Sequence, residues 1–237
     1  LKASLGHAQL KEINIRAQEL KKFQSEPDPP AALSSIPRLN LADIPRSVEI
    51  IPTEHVLIGG VPALKHDIFT NGIVYFNLVF DISHIPEELQ PYLPLLGKLM
   101  SGMGAAGYSY DEMAKRIALK MGGFGYDVGA GFTADAKSTW QKMSFAGKAL
   151  YRNLPEAVNL IGDVLCKGDL EDEARMQDLI AEGKNNLQAA VLPSGHVFAR
   201  MAAGAGITFP AYRDEQWNGR LQLNFIRNIA GNFSAVK

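Results

Sequence analysis

The chain reads as an α+β protein: a mixed sheet with helices packed mainly on one face, preceded by a helical arm. Three features predict this. Gly72 to Phe80 is a near-continuous run of β-branched, aromatic and aliphatic residues broken only by Asn77, the pattern of a well-covered strand. Gly123 to Thr133 alternates small and larger residues at strand spacing, with Phe124, Tyr126, Val128, Ala130 and Phe132 on one side. Elsewhere the apolar residues recur at helical spacing, as at Leu89, Leu93, Leu96, Leu99 and Met100.

Each element follows in order. Residues 1–25 form a helix whose face carries Leu10, Ile13, Ala17 and Leu20. From Ser25 to Pro52 six prolines argue against regular structure. A disordered linker is one reading. The spaced Ile36, Leu39, Leu41, Ile44, Ile50 and Ile51 favour an ordered segment strapped along a surface. Residues 1–53 are thus an arm and strap, and 54–237 an α/β domain, with a C-terminal truncation left open.

Strands are expected at Val56–Val61, Leu64–Phe69 and Gly72–Ile82, the last after an Asn71-Gly72 turn. Helices follow at 88–102, with Pro91 and Pro94 near its start, and at 110–121. Ser109 and Glu112 make a capping box for the second. Strands Gly123–Thr133 and Thr139–Gly147 come next. Helices then run at 154–166, 170–191, 195–206 and 213–230, with Asp169 and Asp214 as caps. In the long one, Met176, Leu179, Ile180, Gly183, Leu187 and Ala190 mark a buried stripe.

Composition bounds the function. At 237 residues there is enough chain for a full core. Net charge of −1 gives no electrostatic case for nucleic acid or an anionic membrane. No apolar run reaches the ~18 residues of a membrane span. The single Cys166 forbids an internal disulfide and reads as a buried core thiol. The first residues lack Met and a signal-peptide core and look like the middle of a helix, so the chain is expected to come from a longer polypeptide.

The candidate chemistry is thin. None of the five histidines lies four residues from another, and neither H-E-x-x-H nor H-x-x-E-H occurs. His84 to Glu88 has an acid at a ligand spacing but Glu in place of the second His, and reads as a polar helix start. Nothing around Cys166 supports a thiol nucleophile. His196 reads as part of a helix start. The glycines at 122, 123, 125, 129 and 131 lack the lysine of a phosphate loop, so a strand that lets another backbone approach closely is the better account.

An ordered set of stretches resembles a known family. These are LKEINIRAQELKKFQSEPDPPAALSSIPRLNLADIP, Thr70–Asp81, IPEELQPYLPLL, YSYDEM, Met121-Gly122-Gly123, NLPEAVNLI, Leu192–His196 and Gln216-Trp217-Asn218-Gly219. Over essentially the whole chain they resemble the presequence-protease and falcilysin branch of the pitrilysin (insulinase-like) zinc peptidases. The resemblance implies two halves, each of two related α/β domains, enclosing a chamber and joined by a helical hairpin. It implies an H-x-x-E-H zinc site in the first domain and a substrate-binding arginine and tyrosine in the last.

On that resemblance this chain is the second hairpin arm plus the third domain, a pitrilysin-like half-domain. Tyr92, Leu93, Pro94, Leu95 and Leu96 occupy the place of the zinc motif, so no catalytic or metal residue carries over. The implied role is a non-catalytic wall of a chamber for unstructured peptides, with zinc held elsewhere in the parent. Gly125, Asp127 and Gly129 are the candidate wall residues. The implied partners are the catalytic half of the same polypeptide and peptide substrates, with self-association of the chain through its first helix. The alternatives are a scaffold subunit derived from a dead peptidase and an independent Cys or His hydrolase. Location would be cytoplasmic in a bacterium and an organelle matrix in a eukaryote.

Overall fold

Two adjacent glycines fix the first turn. Gly59 and Gly60 both have positive φ, 59° and 85°, as a two-residue hairpin turn of the I′ kind needs. They join β1 (Glu54–Ile58) to β2 (Val61–Lys65) in antiparallel register, Ile58 opposite Val61. The hairpin therefore lies a few residues earlier than composition alone placed it. The β-propensity of Leu64 to Phe69 gives way to the turn chemistry of the glycines.

In a computed structural model, residues 6–233 are described. The chain divides between Ile68 and Phe69 into two units. The first holds α1 (His7–Ser25), α2 (Pro30–Ser35), a 3₁₀ turn at Leu41–Asp43 and the hairpin. The expected start of the first helix, residues 1–5, lies outside the described residues. Pro30, expected to prevent regular structure, instead opens α2, where its missing N–H is not needed. Helix α1 buries no side chain: Ile13 and Leu20 are about half exposed. The strap residues Ile36, Leu39, Leu41, Ile44, Ile50 and Ile51 are likewise exposed.

The second unit is built on a three-stranded sheet of order β3–β5–β4, with β3 at Ile73–Asp81, β4 at Gly123–Phe132 and β5 at Thr139–Leu150. Fold class is α+β as expected, but every strand pair among the described residues is antiparallel rather than mixed. Pleating sorts the residues. Phe124, Tyr126, Val128 and Ala130 of β4 share a face with Gln141, Met143, Phe145, Gly147 and Ala149 of β5 and with Phe76, Leu78 and Phe80 of β3. Helices cover that face. The opposite face carries Gly125, Asp127 and Gly129 beside Lys142, Ser144 and Ala146.

Helix α3 (Leu93–Gly102) is the central packing element. Leu93 joins Val128, Met143, Phe145 and Trp217 against the sheet. Leu95 and Leu99 turn the other way, onto Leu179 and Ile180 of α6 (Glu173–Val191) and Ile226 and Ile229 of α9 (Arg220–Gly231). The expected helix 88–102 begins as a 3₁₀ segment, Glu87–Tyr92, because Pro91 removes a donor inside it. Helix α4 (Tyr110–Lys120) is capped by Ser109 and Glu112 as expected. Helix α5 (Leu154–Cys166) lays Ala157, Leu160, Ile161 and Val164 inward.

Other expectations need correction. Cys166 is exposed, since it ends α5 past the last inward turn. The cap of α6 is Asp172, whose carboxylate accepts from the Arg175 N–H at 3.0 Å, not Asp169. The expected single helix 213–230 is two, α8 (Phe209–Asn218) and α9, broken at Gly219, and Thr208 rather than Asp214 caps α8. Helix α7 (Gly195–Gly204) begins where His196 predicted a helix start.

Close approach explains one helical glycine. A Cβ at Gly97 would enter the ring of Tyr126 on β4. In an open helix Gly→Ala gains about 1 kcal/mol. Here overpacking reverses the sign, so Gly97→Ala should destabilise by about 1–3 kcal/mol. Urea unfolding measures this, and the double variant Gly97→Ala with Tyr126→Leu should recover most of the loss.

Candidate functional site

Two places on the second unit carry features beyond packing. The first is the uncovered face of β4. Gly125 and Gly129 are half-buried and Asp127 is exposed. Across the sheet the register sets Gly125 beside Ala146 and Asn77, Asp127 beside Ser144 and Val79, and Gly129 beside Lys142 and Asp81. The middle of this face is therefore a floor of mostly small side chains. A Cβ at Gly125 would meet nothing within 4 Å, and one at Gly129 only ordinary contacts at 3.5 and 3.9 Å. Trp140 walls one end, lying over Gly131 and donating its indole N–H to the Phe132 carbonyl at 3.0 Å. The structure thus brings the three expected residues together on one open surface.

The second place is a buried polar cluster missed in the sequence. Arg213 of α8 is 4% exposed. Its Nε donates to Gln141 Oε1 at 2.8 Å, and its Nη1 to Gln216 Oε1 at 2.6 Å. It grips Glu87 in a fork, Nη1 to Oε1 at 2.8 Å and Nη2 to Oε2 at 2.7 Å. Gln216 and Tyr212 also donate to Glu87 Oε1, at 3.1 and 3.3 Å. One turn on, Trp217 donates to the Gln90 carbonyl at 3.0 Å. The available signal was Arg213, Gln216 and Trp217 at i, i+3 and i+4, which share one helix face.

The cluster is structural in form. Every Arg213 nitrogen is used, and Glu87 is the only member with much exposed surface, its side chain 56% exposed. The Arg213 guanidinium holds the Glu87 carboxyl below the usual carboxylate range. Glu215 is also buried, with Arg220 Nε 3.6 Å from its Oε1. Among the described residues no three His, Cys, Asp or Glu side chains gather as a metal site. No described helix is long and apolar enough to cross a membrane. At the place corresponding to a zinc motif, Leu93 and Leu95 are core residues, 6% and 7% exposed.

Because folding depresses the Glu87 pKa, its contribution to stability is present above the unfolded carboxylate pKa. It is lost as pH falls through the lower folded value. Glu87→Gln should cost about 1–3 kcal/mol at neutral pH, less than a fully buried pair because water reaches the carboxylate. The variant should also flatten the acid limb of the stability curve, read by chemical unfolding between pH 3 and 7, about the range where carboxylates titrate.

Residues 1–229 match the family model for the associated region of the subfamily C peptidases of family M-16, an extent that shows the family. Presequence protease 1, chloroplastic/mitochondrial, of Arabidopsis thaliana is 30% identical over 229 residues, covering 97% of this chain and 21% of that protein. Protein HypA of Clostridium perfringens is 32% identical over 232 residues, covering 97% and 24%. Presequence protease, mitochondrial, of Xenopus tropicalis is 29% identical over 229 residues, covering 96% and 22%. The chain thus spans less than a quarter of the length of each of these relatives.

Proposed function

We propose, because this chain belongs to that peptidase-associated family, that it is a non-catalytic domain of a zinc metalloendopeptidase, forming part of a chamber for unstructured peptides. The observation that supports this best is a contrast between two strips of the second unit. Where a catalytic helix would hold ligands, α3 presents Leu93 and Leu95 to a sealed core. Where a wall must admit an extended backbone, β4 presents Gly125, Asp127 and Gly129 to open space. Peptide hydrolysis needs a polarised carbonyl and an activated water. In this reading the zinc and the general base lie in the catalytic half of the parent polypeptide. The relatives' names place those proteins in mitochondria and chloroplasts, and an organelle matrix is the corresponding location for a eukaryotic parent.

The test uses the full-length parent. Gly125→Leu and Gly129→Leu point new side chains into free space, so the fold is retained. Each should weaken peptide affinity by roughly tenfold, the effect of losing a close backbone approach worth about 1.4 kcal/mol. Unchanged affinity with an intact fold removes these residues from the wall. Chelator-sensitive cleavage by the 237-residue chain alone would contradict the non-catalytic assignment.

A partner for α1 belongs to the same reading. Ile13, Ala17, Leu20 and Phe23 leave an apolar strip exposed, Phe23 at 77%. In the isolated chain this strip should pair with a second copy. Sedimentation should show concentration-dependent association that Ile13→Asp with Leu20→Asp abolishes; a monomer at high concentration excludes it.

A further inference from the structure

The start of β4 carries a feature that the wall reading leaves unused. On the helix-covered side of the strand, an open groove of about 460 Å³ lies between α4 and β4. Ala114, Ile117 and Ala118 of α4 line it with Met121, Phe124 and Ser101. Its side chains are apolar apart from the Ser101 hydroxyl, which is turned onto the Gly97 carbonyl at 2.7 Å. Gly122 and Gly123 close one end.

The strand edge beside the groove has free backbone groups. Thr133 donates to Ser138 O at 2.9 Å, which makes that pair hydrogen-bonded. Counting back by twos through the register, Gly131, Gly129, Asp127 and Gly125 face β5. The N–H and C=O of Phe124 and Tyr126 therefore point to the outer edge of β4, which no described strand covers. At the glycine end the Gly122 N–H bonds Lys148 O at 2.8 Å, beside Gly123, which is paired with the same residue. This is a bulge that bends the strand start.

Charge completes the site. The Lys148 stem lies along Gly122, 3.2 Å from where a Cβ would stand, and near Gly123. Its side chain is exposed, and no ion pair is formed with it among the described residues. The adjacent Lys120 is paired with Glu156 at 3.6 Å, which leaves Lys148 as the unneutralised charge at this end.

We infer that this groove binds the C-terminal residue of an extended peptide. Its apolar side chain enters between α4 and Phe124, its backbone pairs with the free edge at Phe124 and Tyr126, and its carboxylate lies at the Gly122-Gly123 end near Lys148. A strand edge beside an apolar groove, ended by glycines and a cation, matches all three chemical parts of such a terminus. The ligand class rests on the reading that the domain handles unstructured peptides; the groove, edge and charge stand apart from it.

The complete 237-residue chain is titrated against a fluorescent, unstructured hexapeptide ending in leucine with a free carboxylate. Saturable binding is expected. Amidating the terminus, replacing the last residue with aspartate, filling the groove with Ala118→Trp, or reversing charge with Lys148→Glu should each weaken it by about tenfold or more. Circular dichroism and urea unfolding confirm that both variants fold. Equal affinity for acid and amide overturns the inference, as does indifference to Ala118→Trp or Lys148→Glu in folded protein, or absence of saturable binding. Such a result beside a strong Gly125→Leu effect in the parent would remove the groove and leave the chamber reading standing. The reverse pattern would remove the wall and leave the groove.

Discussion

The second unit depends on how α8 seizes the segment between β3 and α3. That segment has no regular hydrogen-bond ladder, so its polar groups need side-chain partners. Gln90 is fully buried and donates to the Ile85 carbonyl at 2.9 Å, and its own carbonyl accepts from Trp217. Arg213 adds Glu87 on one side and Gln141, near the start of β5, on the other. One helix thus fixes both the entry to α3 and the end of the central strand. A lone buried guanidinium would be costly. This one is stabilised because each of its nitrogens meets an oxygen and its main counter-charge keeps contact with water.

With α3 so placed, small residues decide how near its neighbours come. Gly97 admits the Tyr126 ring and Gly102 admits Leu179. Burial pushes the Tyr126 hydroxyl pKa up, as expected for a phenol tucked beneath a helix. The same strand that presses Tyr126 inward turns Gly125 and Asp127 outward, because successive residues alternate. The composition of β4 therefore has one physical origin on each face: glycine keeps the outer floor low, and aromatic residues fill the inner side.

Much of this was legible from local pattern. The apolar run at 72–80, the alternation at 123–133 and the Ser109–Glu112 box report directly on strand, strand and cap, because each depends on neighbours within a few residues. The errors share a cause. The hairpin register was set by the paired positive φ of Gly59 and Gly60, which outweighs propensity. The α8–α9 break was hidden because Arg213 to Ala230 keeps helical composition across Gly219. The Arg213–Glu87 pair joins residues far apart in sequence, and no periodicity encodes such a partner. The wall residues were legible for the opposite reason: a glycine strand exposes its backbone whatever packs elsewhere.

The helix that would carry a metal in a catalytic half-domain shows why loss of ligands and retention of shape are compatible. Histidine and glutamate on such a helix face must be held by a metal or by polar partners, or they destabilise the core around them. Leucine at the same place removes that requirement. Leu93 meets the sheet and Leu95 meets α6 and α9, so the helix is bound on two sides by apolar contact alone. Each fully buried leucine contributes roughly 1.5–3 kcal/mol. A domain packed in this way needs no ion to hold its central helix, which leaves its open face and strand edges free to be shaped by what they contact.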